Sequence, residues 1–106
     1  MQIQVSTGSN IDAGERLALS VEGDVASALY RFRDYIARVG IRVSAGTDEA
    51  RCSIEARLSG RIPTAVDCSA ATTEQAVSGA MAELVRQLEG KITLEERRQH
   101  GTSALE

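Results

Sequence analysis

The stretch RVGIRVSAGTDEARCSIEARL, Arg38 to Leu58, decides the fold. Val39, Ile41 and Val43 alternate with Arg38, Gly40 and Arg42. Beyond Ala45-Gly46-Thr47-Asp48, the residues Cys52, Ile54, Ala56 and Leu58 alternate with Arg51, Ser53, Glu55 and Arg57. A period of two sends successive side chains to opposite faces of a strand, and a glycine-bearing turn between two such runs reads as a β-hairpin. One face of this hairpin is aliphatic. The other carries four arginines and is expected to face water, with Glu55 supplying cross-strand pairing.

Upstream of the hairpin, Leu17, Val21, Val25, Ala28, Leu29, Phe32 and Ile36 recur at intervals of three and four, the stripe of a helix about six turns long. Asp12 stands three residues before Glu15, a capping-box spacing that marks its start. Gly23 inside it costs about 1 kcal/mol relative to Ala. Further back, Met1, Ile3 and Val5 alternate with Gln2, Gln4 and Ser6 as a first strand, and Thr7-Gly8-Ser9-Asn10 forms a turn. Downstream, Ser59-Gly60 leads into a strand in which Ile62, Thr64, Val66 and Cys68 share one parity, with Pro63 suiting an edge position. Thr72 and Gln75 repeat the capping-box spacing ahead of a second stripe, Val77, Ala80, Met81, Leu84, Val85 and Leu88, ending near Gly90.

The expected fold is therefore α+β: a two-layer sandwich in the order β-α-β-β-β-α, with both helices on one face of a four-stranded sheet. Residues 1–92 form the domain. Residues 93–106 read as a flexible C-terminal tail that carries His100, and its last four residues are open to being a cloning scar.

At 106 residues with 42% hydrophobic content and no Trp, the chain has one core, built from Ala, Val, Ile and Leu. Only Tyr30, Phe32 and Tyr35 are aromatic, too few for a platform that stacks single-stranded bases. Twelve basic residues against fifteen acidic ones leave a net charge of −3, so any affinity for nucleic acid must come from a local patch. Cys52 and Cys68 lack metal-ligand spacing and read as small hydrophobes sharing one buried face. No motif joins a nucleophile to a base, so no enzyme, cofactor or metal is expected. Neither a leader nor a membrane-spanning run is read, which makes the cytoplasm the expected compartment.

The opening MQIQVS, its spacing to YRFRDYIARVGIRVS, and TTEQAVSGAMAELVRQLEGKI with its Ala76-Val77 pair and Leu84-x-Arg86-Gln87-Leu88 run carry a resemblance. It covers nearly the whole domain and is to the ribosome hibernation promoting factor and ribosome-associated inhibitor family, also called sigma-54 modulation proteins. The resemblance implies a fold similar to the double-stranded RNA-binding domain. It also implies binding to the small ribosomal subunit, on 16S rRNA near the decoding region, with no part for DNA or membrane. Carried over by position, Arg31, Arg33, Arg86 and Lys91 are the implied phosphate-contacting residues, and Arg38 and Arg42 would add to them. The chain departs from the family at Asp24 and Ser27, where relatives carry Lys, and at Glu83 and Glu89 on the last helix. Each departure weakens phosphate contact. The alternative is a diverged protein-interaction module that pairs through the sheet face or edge. A continuous arginine patch favours the first reading, and alternating signs favour the second.

Overall fold

The computed structural model describes residues 1–8, 14–60 and 62–104, with side chains as far as Ile92. The elements run β1 (Gln2–Thr7), α1 (Gly14–Leu29), a 3-10 turn (Tyr30–Phe32), β2 (Ile36–Ala45), β3 (Ala50–Leu58), β4 (Thr64–Ala70) and α2 (Thr73–Ala104). The sheet order is β1-β2-β3-β4, with β1 parallel to β2 and the other pairs antiparallel. This is the expected β-α-β-β-β-α sandwich. Both helices press on one face, where Val21, Val25 and Leu29 of α1 and Ala76, Val77, Ala80, Leu84 and Leu88 of α2 join the inward residues of the strands in a single core. α1 lies against β1, while α2 covers β4 and β3.

Parity was legible because each strand turns one face toward the core. In β3, Cys52, Ile54, Ala56 and Leu58 are buried, and Arg51, Glu55 and Arg57 are exposed. Thr72 Oγ1 accepts a hydrogen bond from the Gln75 amide at 3.1 Å and so caps α2 as its spacing implied. The matching cap at Asp12, and the turn through Ser9 and Asn10, lie outside the described residues.

Four expectations need correction. Helix one stops at Leu29, and Ile36 belongs to β2. Phe32 and Ile36 are both buried and four apart, so the stripe continued on paper, but one lies on a 3-10 turn and the other opens a strand. A register shift between Ile36 and Arg38 leaves both Ala37 and Arg38 exposed while keeping Ile36 and Val39 inside. Ile62 is not in the strand and is 83% exposed. Gly60 turns there at φ 70° and ladder pairing begins only at Thr64, opposite Ala56. α2 does not end near Gly90. Ile92 is buried one turn beyond Leu88, so the stripe continues and an exposed glycine is tolerated.

The fourth correction concerns the cysteines. They stand directly opposite each other on β3 and β4 and both are free, but only Cys52 is fully buried, while Cys68 is half-buried. Burial first, then the neighbouring Cys68 and Asp67, pushes the Cys52 thiol up to about 11. Above Cys68 sits Gly79 of α2, where an added Cβ would lie 2.5 Å from the Cys68 Sγ. The glycine is there to let the helix approach the sheet closely.

Candidate nucleic-acid interface

The six residues singled out for RNA contact do not form one patch. Arg31, on the 3-10 turn, pairs with Glu89 of α2 and lies over the Phe32 ring, 4.6 Å from its centroid. Arg33 stacks on Tyr30 at 4.0 Å and donates to the Tyr30 carbonyl at 2.8 Å. Arg86 is engaged by Glu83 through two hydrogen bonds, and Gln87 adds a third to the same carboxylate. The Arg86 bond, followed by the Gln87 bond, holds the Glu83 carboxyl down at about 2. On the β4 flank of α2, Lys91 Nζ donates to the buried Thr64 Oγ1 at 2.7 Å. Arg38 and Arg42 instead lie on the opposite side of the molecule, on the open face of the sheet.

Strand register arranges that open face. Arg38 is opposite Arg57, Gly40 opposite Glu55, Arg42 opposite Ser53, and Ser44 opposite Arg51. On β4, Ala65 faces Glu55, Asp67 faces Ser53, and Ser69 faces Arg51. Gln2, Gln4 and Ser6 complete the rows on β1. Arg51 pairs with Asp67, and Arg57 with Glu55, each at 3.5 Å. Ser53 Oγ also donates to Asp67, at 3.3 Å. Among the described residues, Arg38 and Arg42 form no ion pair.

The charges are therefore segregated by layer. Among the residues whose side chains are described, the helices and the turn that follows α1 carry Arg16, Arg31, Arg33, Arg86 and Lys91 against seven carboxylates: Glu15, Glu22, Asp24, Asp34, Glu74, Glu83 and Glu89. Among the described strand residues of the open sheet face, four arginines face only Glu55 and Asp67. Sequence reasoning found the four arginines from their parity. It missed Asp67, whose place beside Arg51 follows from the β3/β4 register, and it missed the Arg31–Glu89 and Lys91–Thr64 contacts, which join residues far apart in the chain. Among the described residues no three His, Cys, Asp or Glu side chains converge as metal ligands, and no helix is long and apolar enough to cross a membrane.

Neither a protein-family model nor a curated protein matches the chain. Solved structures do. The N-terminal domain of Protein Y from Thermus thermophilus superposes with a TM-score of 0.71 at 24% identity, covering 84% of this chain and 97% of that one. A ribosomal subunit interface protein from Coxiella burnetii superposes at 0.68 with 20% identity, covering 88% of this chain and 99% of the other. The chain has their fold. It is the fold that the resemblance read from the sequence implied.

Proposed function

We propose that this chain is a non-catalytic, ribosome-associated factor of the hibernation family that acts in the cytoplasm by binding the small subunit, on 16S rRNA near the decoding region. The observation that carries this reading is the shared fold, which spans 97% and 99% of two structures, one of them named a ribosomal subunit interface protein. A domain of this size with an exposed arginine-bearing face is suited to binding a large surface. The test is co-sedimentation of the full chain with 30S and 70S particles at about 50 and 200 mM salt, a range over which phosphate-dominated binding weakens steeply. Recovery in the ribosomal pellet at the lower salt, with loss at the higher, is the expected result. Absence from the pellet at both would end the proposal.

One observation favours the second reading, a protein-interaction module that keeps the fold without the RNA contacts. On the helix layer the signs alternate, and Arg31 and Arg86 are each already bound to a carboxylate. If the chain stays in the supernatant at low salt, this reading replaces the first.

A further inference from the structure

We infer that RNA is bound on the open face of the sheet, through its sugar-phosphate backbone, by Arg38, Arg42, Arg51 and Arg57, and that the helix layer is not the contact surface. This rests on the ribosome-binding reading and makes its surface specific. Charge is the first reason. The chain carries −3 overall and, among the described side chains, its helix layer has more carboxylates than cations, so the sheet face is where an excess of positive charge is displayed. Arg38 and Arg57 are direct cross-strand partners on one face. Like charges in that position repel, and an anion bridging them turns the repulsion into attraction.

Availability is the second reason. Arg38 and Arg42 have no ion-pair partner among the described residues, and Arg51 and Arg57 have side chains 61% and 63% exposed in pairs of 3.5 Å. Exposed pairs of this kind are weak. A phosphate accepts two parallel guanidinium hydrogen bonds, so it competes well for such arginines. On the helix layer, by contrast, Arg31 and Arg86 are each already hydrogen-bonded to a carboxylate, so a phosphate would have to displace Glu89 or Glu83.

Shape is the third. The face is a shallow trough of about 680 Å3 in which the small residues Gly40, Ser53 and Ala65 lie beside Arg42. A Cβ built on Gly40 would meet nothing within 4 Å. Arg38 and Arg42 flank this low point, separated by about 13 Å along β2. Gln4, Ser6 and Ser53 offer hydroxyl and amide groups to the sugars. An acidic peptide would meet the same arginines, but peptides also use apolar pockets or a free strand edge, and the outward-facing residues within the four strands include no apolar side chain larger than Ala65. It has no aromatic ring either, so the bases go unread and binding is independent of sequence.

The test uses a fluorescein-labelled 20-nucleotide oligo(U), followed by anisotropy between about 50 and 200 mM salt. It compares the full chain, Arg38→Gln/Arg42→Gln and Arg31→Gln/Arg86→Gln, each checked for native circular dichroism. The sheet variant should lose about tenfold or more in affinity, and its log-log salt slope should shrink by about 1.4, or 0.7 per lost contact. The helix variant should stay within about twofold of the parent. The inference is overturned if the helix variant is the one that loses affinity, if the parent chain fails to bind the RNA at the lowest salt, or if poly-glutamate binds the sheet face more tightly than the RNA does. Sedimentation of the same variants with 30S particles separates the two proposals. A parent chain that pellets, with a sheet variant that pellets equally well, removes only the surface assignment. A parent chain that binds oligo(U) through the sheet yet never pellets removes only the ribosome reading.

Discussion

Glu83 and Arg86 lie one helical turn apart on the solvent side of α2, joined by two hydrogen bonds. Because the folded Glu83 carboxyl titrates at about 2 instead of its ordinary 4.5, its contribution to stability is fully present above pH 4.5 and is lost as pH falls toward 2. The pair is exposed, so the effect is small and screened by salt. Glu83→Gln should therefore lower the denaturation midpoint slightly at pH 6 and by progressively less as the pH is lowered to 2, as followed by far-ultraviolet circular dichroism in urea. Gly79 has a sharper dependence. Replacing it with Ala gains helix propensity but drives a methyl group into Cys68 Sγ. Gly79→Ala should cost about 1 to 3 kcal/mol more with Cys68 in place than in a Cys68→Ala background. Equal costs in the two backgrounds would show that the sulfur is not what excludes the side chain.

Among the elements, α1 is the one with slack. Gly23 is exposed in its middle, and a Cβ there meets nothing within 4 Å, so its only structural effect is the backbone freedom it leaves the unfolded chain. Gly23→Ala should add roughly 0.5 to 1 kcal/mol, read as a rise of a few degrees in Tm. α2 depends on its start. Thr72→Ala leaves the Gln75 amide without its acceptor and should remove about 0.5 to 2 kcal/mol. The same elements mark where local pattern reading succeeds and fails. The strands and the Thr72 cap were legible because burial parity and capping act over two or three residues. The end of α1 was not, because Phe32 and Ile36 keep helical spacing across a change of backbone conformation that no glycine or proline announces. The run of α2 past Gly90 was hidden for the opposite reason: a residue that usually closes helices sits where a buried Ile92 continues the stripe.

At the scale of the molecule, one core joins both helices to all four strands, so unfolding should be a single cooperative transition. Cys52 reports on it. It is fully buried on a central strand, and its thiol stays protonated through neutral pH, whereas Cys68 is partly accessible. With a thiol reagent at pH 7.5, Cys68 should react first. Cys52 should react only at the rate of global opening, with a dependence on urea that matches the loss of circular dichroism. Comparable rapid labelling of both would mean that β4 and α2 open separately from the rest.

The sequence by itself determined the order of the elements, the core-facing side of each strand, the shared face of the two cysteines and the positions of the arginines, because periodicity and capping are properties of neighbouring residues. Only the tertiary structure decided which of those arginines are available. Arg31 meets Glu89 across 58 positions, Lys91 meets Thr64 across 27, and Arg51 meets Asp67 through strand register. Electrostatic partners are chosen through space over a few ångströms. A cation that looks uncommitted along the chain can therefore be bound in the fold, while Arg38 and Arg42 have no ion-pair partner among the described residues and lie on the face turned away from the helices.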